Sequence, residues 1–357
     1  MIKTYILGTG YLSNNLKKKI INSKIYSAED FKKNLTGINK NNKKFNLIIN
    51  TFYSSRKLNN IQSYKNFIKK SILDLAEFLD KINPNKINKI IYTSSASVYA
   101  SINSKININD RNNRYIYSSL KLSAETLLKN YCNKRTINLS ICRLFNLYGT
   151  EDGFSVISKL KSLQKKNKQK LIIYNKGESI RDFIHIADVV KIYKKLLHIN
   201  KSEIYDIGTG KGLKIIEIIN KSKISKGKIV FDKRKNFEID QSIANNLNLK
   251  KKLNLYTFNK IENFFNIKKD LNYLQTKSEN FIENKLLGSI IYGCGYSGKK
   301  LAKQILALDN NSISYFVDDD KRKIGKYFFG AKVISFKVIL KQFFTAFSSF
   351  HFDFSPN

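Results

Sequence analysis

Apolar and polar positions follow two different periods along roughly the first 150 residues of the chain. Short apolar runs such as "KTYIL" and "FNLIIN" have the length of β-strands and contain few polar residues, as expected for strands covered on both faces. Between such runs, segments such as "IQSYKNFIKKSILDLAEFLDKI" repeat apolar residues at the i, i+3 and i+4 spacing of an amphipathic helix. Further along, "INLSICRLFNLYG" is predicted to be one strand. This alternation predicts an α/β fold with a doubly wound parallel sheet, the Rossmann arrangement.

The alternation becomes looser in the middle of the chain and starts again near its end. Shorter strands in "KLIIYN", "IYDIG" and "GKIVFD" predict a smaller lobe set on the sheet, mainly within 151–267, so that the first domain covers 1–267. The polar stretch 268–286 is predicted to be a linker. "LLGSIIYGCGYSGKKLAKQIL" then repeats the opening pattern and predicts a short second Rossmann-like domain over 287–345, followed by a tail, 346–357.

The chain is strongly basic, with 65 Lys and Arg against 27 Asp and Glu and a formal net charge of +38. The lysines are scattered, and the near absence of Pro (2), Met (1) and Trp (0) indicates a compositional bias of the whole chain. We therefore expect no nucleic-acid partner. No apolar run approaches the ~20 residues of a membrane span, and the start lacks the apolar core of a signal peptide. We expect a cytoplasmic protein without membrane association.

The three cysteines, Cys132, Cys142 and Cys294, show neither a pairing pattern nor the spacing of metal ligands. They fit a reducing compartment, and we expect no metal site.

Two glycine-rich turns are candidate phosphate sites. A turn between a strand and a helix N-terminus presents backbone N–H groups to a diphosphate, and glycine keeps side chains out of the way. The first turn, "LGTGYLS", has Gly8 and Gly10 but Ser13 at the third glycine position, where a side chain is expected to push the helix away and weaken binding. Ser27 ends the next strand and Glu29 follows late, so the choice between NAD and NADP stays open, with NAD favoured.

The second turn is better formed. Gly293, Gly295 and Gly298 are followed by Asp318, twenty residues after the last glycine, where an acid can meet a ribose hydroxyl. These four residues form a possible second nucleotide site.

A Tyr–Lys pair is the candidate for catalysis. Tyr117 and Lys121 in "YIYSSLKLSAE" are four positions apart and lie on one helix face. Such a pair can also be an ordinary i, i+4 contact on a lysine-rich surface. Ser95, at the end of the predicted strand in "IIYTSSASVYA", is expected at the same sheet edge. A neighbouring ammonium would favour ionisation of a phenol whose pKa is ordinarily about 10.

Six stretches together resemble the NAD-dependent nucleotide-sugar epimerase/dehydratase family of extended short-chain dehydrogenases/reductases: "LGTGYLS", "YTSSASVYA", "YSSLK", "CRLFNLYG", "IRDFIHIADVV" and "YDIGTGKGLKIIEI". The resemblance covers about residues 1–265. It implies that Ser95, Tyr117 and Lys121 are the catalytic residues. It also implies NAD as the cofactor, with NADP not excluded, and a homodimer. The cofactor-binding residues that it implies are Gly8, Gly10, Tyr11, Leu12, Ser13, Thr51 and Phe145.

The same resemblance implies a nucleoside-diphosphate sugar as substrate, with Asn146, Arg181 and Arg234 at its diphosphate. The family's 4,6-dehydratases carry an Asp-Glu pair where this chain has Ala96 and Ser97, so a dehydratase is disfavoured. We expect an epimerase in cell-surface polysaccharide biosynthesis. A keto-sugar reductase using the same residues and a non-catalytic nucleotide-binding protein are the alternatives.

The last part of the chain resembles the first Rossmann-like half of sugar-processing proteins in surface-polysaccharide pathways. The resemblance lies in "IIYGCGYSG" and "ISYFVDDDKRKIGKYFFGAKVI". It implies a nucleotide-binding module, a docking domain or a remnant of a longer domain.

Overall fold

The chain divides into two compact units, Met1–Phe265 and Asn266–Asn357. The computed structural model describes residues 2–40, 42–50, 64–99, 113–150, 152–165, 170–233, 239–265, 289–292, 294–295, 299, 302–303, 313–335 and 338. The expected linker, 268–286, and the expected tail, 346–357, lie outside the described residues.

A six-stranded sheet in the order β2-β1-β3-β4-β5-β9 forms the centre of the first unit. All neighbouring strands in it are parallel, which confirms the prediction of a doubly wound sheet. The direction of strand order reverses beside β1, so the crevice for a ligand lies beyond the ends of β1 and β3. The six strands are β1 (Lys3–Leu7), β2 (Ser23–Tyr26), β3 (Phe45–Ile49), β4 (Ile87–Ser95), β5 (Asn138–Leu144) and β9 (Glu203–Ile207).

Helices cover both faces of this sheet. The segment predicted as one long helix after β3 contains α3 and α4 separated by a π-helical stretch, Lys69–Leu73. The helices of the first unit are α1 (Tyr11–Lys19), α2 (Ala28–Lys40), α3 (Tyr64–Ile68), α4 (Asp74–Lys81), α5 (Asn113–Lys134), α6 (Val156–Lys165), α7 (Ile186–Leu196), α8 (Ile215–Ser222), α9 (Leu247–Leu253) and α10 (Ile261–Phe265). No helix in the part of the chain that the structure describes is long and apolar enough to cross a membrane.

Side chains of successive strand residues point to opposite faces of the sheet and are therefore buried in two separate cores. Ile6 and Ile48 lie in a core with side chains of α1 and α7, whereas Leu7 and Leu47 lie in the core on the opposite face, with side chains of α2, α4 and α5. All four side chains are buried. Burial on both sides explains why these strands read as continuous apolar runs.

The smaller lobe consists of short strands and packs around its own apolar core, which includes Tyr148, Phe183 and Ile218. In it β10 and β12 flank β8, β6 also pairs with β8, and β11 pairs with β7. The strands are β6 (Asn146–Tyr148), β7 (Leu171–Tyr174), β8 (Ile180–His185), β10 (Gly212–Lys214), β11 (Ile229–Asp232) and β12 (Gln241–Ser242).

Two expectations about these strands were wrong. "IYDIG", assigned to the lobe, contributes most of β9, the sixth strand of the large sheet. "INLSICRLFNLYG", read as one strand, divides at Phe145 into β5 of the large sheet and β6 of the lobe. The chain therefore leaves the sheet for the lobe at Phe145 and returns in β9.

The second unit contains a four-stranded sheet in the order β13-β14-β16-β15. The first three strands are parallel, and β15 is antiparallel to β16. Phe316 and Val333 are fully buried in its core. The strands are β13 (Ser289–Tyr292), β14 (Ile313–Val317), β15 (Tyr327–Phe328) and β16 (Ala331–Ile334).

Candidate active site

The turn after β1 has the form of a diphosphate site. Gly8 has a φ of +103°, which favours glycine, and its N–H donates to the carbonyl of Tyr26 at 2.8 Å. Gly10 is the N-cap residue of α1, where no side chain makes a cap hydrogen bond and no acid lies in the first turn. A Cβ built on Gly10 meets nothing within 4 Å. The turn thus offers an anion an open approach to the helix N-terminus.

The other cofactor-binding residues that the resemblance implies differ from one another in contacts and burial. Tyr11 donates its hydroxyl to the carbonyl of Thr150 at 2.8 Å. Leu12 and Ser13 face inward and are 9% and 1% exposed. Thr51 lies outside the described residues.

Ser13 is part of a buried polar chain beneath the turn. Its hydroxyl oxygen accepts a hydrogen bond from the amide nitrogen of Asn50, directly after β3. The amide oxygen of Asn50 accepts from the hydroxyl of Thr93 at 2.5 Å, and that hydroxyl is 2.8 Å from the Tyr193 hydroxyl. The sequence analysis did not identify Asn50; the available signal was a polar residue at the end of the apolar run "FNLIIN".

Ser95, Tyr117 and Lys121 meet at the same edge of the sheet. Ser95 is the last residue of β4, and the other two lie in the first half of α5. The Lys121 Nζ donates to the carbonyl of Thr93 at 2.7 Å and lies 6.0 Å from the centre of the Tyr117 ring. Ser97 donates to the Ser95 Oγ through its backbone N–H at 3.2 Å and its hydroxyl at 3.0 Å. Because the Ser95 oxygen accepts both of these bonds, the Ser95 hydroxyl can donate its own proton to another acceptor.

Burial shifts both titrating groups of this trio. It raises the pKa of Tyr117 to about 12, while a hydrogen bond with Ser95 acts in the opposite direction. Burial lowers the pKa of Lys121 to about 8, and the negative charge of Glu125 opposes this shift. At neutral pH the pair therefore combines a neutral phenol with an ammonium that is mostly protonated.

Glu125 connects the trio to a buried ion pair that the sequence analysis missed. It is wholly buried and accepts from the Ser94 hydroxyl at 2.6 Å. Arg143 donates to both of its oxygens, at 3.1 and 2.8 Å. The Tyr99 hydroxyl, whose ring lies 4.7 Å from the Arg143 guanidinium, donates to Asp206 at 2.7 Å. The signal in the sequence was the spacing of Tyr117, Lys121 and Glu125, each four residues after the previous one.

The proposed substrate side lies where the chain crosses into the lobe. The Asn146 amide donates to the backbone carbonyl of Asp182 at 3.0 Å. Arg181 donates to the carbonyls of Ile180 and Asp240 at 2.9 and 3.3 Å.

Phe145, expected among the cofactor-binding residues, is 7% exposed. Arg234 lies outside the described residues.

The carboxylate of Asp182 connects several segments near Asn146 and Arg181 through hydrogen bonds. Its side chain is fully buried and accepts from the N–H groups of Thr209, Gly210 and Ala244 at 2.9, 2.8 and 3.2 Å. The Thr209 hydroxyl also donates to it at 2.6 Å. Gly208 permits the close approach, since a Cβ there would lie 2.6 Å from an Asp182 oxygen. One carboxylate thereby joins three segments that are distant in sequence.

The possible second nucleotide site is described only in part, because Gly293 and Gly298 lie outside the described residues. Gly295 has open space at its Cβ position. The Asp318 carboxylate accepts from the N–H groups of Cys294 and Asp320 at 2.7 and 2.9 Å, and from the Lys323 ammonium at 3.1 Å. These bonds hold its pKa well below the usual range. Within the described part of the chain, no group of His, Cys, Asp and Glu is arranged to hold a metal ion.

A parallel sheet with a glycine turn at its switch point and a Ser–Tyr–Lys trio at the same edge defines a nucleotide-binding Rossmann protein of the short-chain dehydrogenase/reductase type. Residues 19–208 match the model of the NAD dependent epimerase/dehydratase family, and the chain belongs to this family. The turn at Gly8 and Gly10 has the form of a diphosphate site, so it fits NAD, the cofactor in the family's name.

Comparisons with individual proteins agree with this family. The chain is 29% identical over 177 residues to a dTDP-D-glucose 4,6-dehydratase of Dictyostelium discoideum, matching 45% of this chain and 40% of that protein. It is 28% identical over 180 residues to a putative UDP-glucose 4-epimerase of Methanocaldococcus jannaschii, matching 47% of this chain and 58% of that protein. The chain thus spans about half the length of these relatives.

A solved structure of UDP-glucose 4-epimerase with UDP-glucose, from Thermotoga maritima, superposes with a TM-score of 0.62 at 16% sequence identity. The superposition covers 77% of this chain and 99% of that chain. At this identity the likeness establishes the fold.

Proposed function

We propose that the protein is an NAD-dependent nucleotide-sugar epimerase. The observation that carries the proposal is the meeting of Ser95, Tyr117 and Lys121 at the sheet edge that also carries the Gly8–Gly10 turn. This arrangement suits removal of a proton from a sugar hydroxyl while a hydride leaves the same carbon.

Each side chain has a distinct task in this proposal. When bound, NAD would supply reversible hydride transfer at the sugar carbon, and the Gly8–Gly10 turn would hold its diphosphate. Ser95, whose Oγ already accepts from Ser97, donates to the reacting oxygen. Tyr117 takes the hydroxyl proton and later returns it. The Lys121 ammonium, fixed on the Thr93 carbonyl, lowers the cost of ionising a phenol whose pKa burial raises to about 12.

Two features favour an epimerase over a dehydratase. Ala96 and Ser97 stand where the dehydratases have Asp and Glu, so these positions supply no acid to protonate a leaving hydroxyl. Ser97 instead orients Ser95. A keto-sugar reductase using the same trio is the second candidate, since the trio can serve hydride transfer in either direction.

We also propose that the substrate carries a nucleoside diphosphate. Arg181 lies in β8 and donates to the carbonyls of Ile180 and Asp240. A guanidinium can bind two phosphate oxygens at once, which suits the role that the family resemblance implies for this residue. Asn146 lies in β6, which pairs with β8, and its amide donates to the carbonyl of Asp182. Arg234 is proposed as the second arginine of this subsite.

Further proposals concern the compartment, the oligomeric state, the pathway and the domains of the enzyme. We propose a cytoplasmic homodimer that acts in cell-surface polysaccharide biosynthesis. We also propose a catalytic domain over 1–267, a linker over 268–286, and a nucleotide-binding module around Gly295 and Asp318.

The variant Tyr117→Phe tests the role of the phenol. It removes the proton acceptor and keeps the ring, so kcat should fall by about 10²–10⁴-fold while NAD binding survives. Tyr115→Phe, two positions earlier on the same helix, is the matched control and should keep wild-type kcat. The measurements are initial rates of epimer formation and the Kd of NAD⁺ by titration calorimetry.

Lys121→Ala should lower both turnover and NAD affinity, because its ammonium serves the phenol and faces the cofactor region. If Tyr117→Phe turns over as fast as Tyr115→Phe, the Tyr–Lys pair is an ordinary helix contact and the proposed mechanism is wrong.

A further inference from the structure

The third position of the phosphate turn is occupied by Ser13, a residue that was expected to push the helix away and weaken cofactor binding. In the glycine pattern, the third glycine allows close packing of the helix on the sheet. Ser13 occupies this packed position with 1% of its surface exposed, and its hydroxyl oxygen accepts a hydrogen bond from Asn50. The serine therefore bonds to the sheet where a glycine would only pack against it.

Asn50 suits this role because both ends of its amide have buried partners. Its nitrogen donates to Ser13, and its oxygen accepts from Thr93 at 2.5 Å. Its backbone N–H donates to the carbonyl of Leu7 at 3.0 Å, directly before the glycine turn. Asn50 thus links α1, the end of β1 and the end of β4.

The chain of bonds continues to the catalytic lysine. The hydroxyl of Thr93 bonds to Asn50, and the carbonyl of Thr93 accepts from the Lys121 ammonium at 2.7 Å. The phosphate turn and the Tyr–Lys pair are therefore fixed on the same residue of β4. The diphosphate and the reactive ring of NAD lie at opposite ends of its nicotinamide half. The distance between the phosphate turn and the Tyr–Lys pair must therefore match the length of that half.

We propose that Ser13 and Asn50 are a matched positioning pair that replaces the third glycine and holds the phosphate turn in its NAD-binding geometry. Ser13 and Asn50 are 1% and 6% exposed, so the proposed role differs from the direct cofactor contact that the resemblance implies for Ser13. Ser13 acts by fixing α1, and Asn50 acts by joining α1 to the strand that carries the Lys121 acceptor. The inference rests on NAD binding and is independent of which sugar is turned over.

Replacing Ser13 by glycine distinguishes this proposal from steric hindrance. Ser13→Gly restores the glycine pattern, yet it removes the acceptor for the buried Asn50 amide. We expect the Kd of NAD⁺ to rise by about three- to tenfold, the effect of one lost hydrogen bond. Ser13→Ala should raise the Kd of NAD⁺ similarly, because it removes the same acceptor.

A helix serine remote from the turn provides the matched control. Ser123 in α5 is exposed, and its hydroxyl donates to the carbonyl of Ser119 at 2.9 Å, within its own helix. Ser123→Gly and Ser123→Ala make the same chemical changes in a helix and should leave the Kd of NAD⁺ unchanged. A general loss of helix stability would affect both pairs of variants, whereas loss of positioning affects only the Ser13 pair.

A double-mutant cycle tests the pairing itself. Asn50→Ala should raise the Kd of NAD⁺ and, because it also frees Thr93, lower kcat at saturating cofactor. Adding Ser13→Ala to Asn50→Ala should raise the Kd no further. If Asn50→Ala does not fold, as judged by circular dichroism, the Ser13 and Ser123 variants still decide.

All Kd values are measured by calorimetry with NAD⁺ alone, so the result does not depend on the epimerase proposal. Tighter NAD⁺ binding by Ser13→Gly, unchanged binding by Ser13→Ala, or additive effects in the cycle would each overturn the proposed pair.

Discussion

Two buried lysines lie at opposite ends of β4, Lys89 in the strand itself and Lys121 in α5 against the carboxyl end of the strand. Lys89, near the start of β4, is 1% exposed and donates to the carbonyl of Ile199. Lys121 is 7% exposed and contacts Thr93 near the end of β4. Burial lowers the pKa of each to about 8. Between pH 8 and about 10.5 the unfolded chain binds more protons than the folded one, so stability from these groups rises with pH in that window.

Lys89→Met should therefore stabilise the protein at pH 7. Removing a cation that is costly to bury should raise the free energy of unfolding by about 1–3 kcal/mol, and the gain should shrink as the pH rises from 8 towards 10. Activity should persist, because Lys89 lies at the end of the sheet opposite the site. Urea unfolding at pH 7 and pH 10 is the measurement.

Lys121→Met is the paired variant, expected to give a similar stability gain and to abolish turnover. A fall in stability at pH 7 for both variants would show that these lysines contribute more through their hydrogen bonds than their burial costs.

Single residues show how far the sequence could be interpreted. The spacing of Tyr117 and Lys121 predicted a shared helix face, and the structure places Ser95 beside them. The structural role of Ser13 could not be predicted, because it depends on the amide of Asn50, 37 positions away. Hydrogen bonds between distant segments leave no periodic signal in a sequence.

At the scale of elements, Asp182 holds the lobe strand β8 to the loops around Thr209 and Ala244. Asp182→Asn would replace one carboxylate oxygen by an NH2 group, which would then face either the N–H groups of Gly210 and Ala244 or the N–H and hydroxyl of Thr209. We expect the free energy of unfolding to fall by about 2–4 kcal/mol. Asp232→Asn, an exposed carboxylate in β11 that accepts from its neighbour Lys233, is the control and should change stability by less than about 0.5 kcal/mol. Equal urea midpoints for the two variants would contradict the structural role of Asp182.

The elements themselves were predicted better than their partners. Burial on both faces produces the apolar runs of β1, β3 and β4, so the parallel sheet follows from the pattern. The placement of β9 in that sheet, and the break between β5 and β6 at Phe145, could not be predicted. A short apolar run indicates a strand but not the sheet in which it pairs.

For the whole molecule, we propose that this member of the family turns over nucleotide sugars by reversible hydride transfer with retained NAD. The net charge of +38 neither supports nor opposes this claim, because the lysines are spread along the chain. The trio at the sheet edge, the open glycine turn and the family match support it together. Arg181 and Asn146 lie in the paired lobe strands β8 and β6, and their proposed role at a substrate diphosphate is part of the same proposal.

The most direct test is to incubate the purified protein with a panel of UDP-, dTDP- and GDP-sugars and their free monosaccharides. Bound cofactor is identified by mass spectrometry, and absorbance at the NADH band is followed during turnover. For an epimerase we expect bound NAD, interconversion of two epimeric nucleotide sugars and no net change in NADH. Stoichiometric consumption of NADPH with a keto-sugar, or comparable turnover of an unmodified monosaccharide, would contradict it.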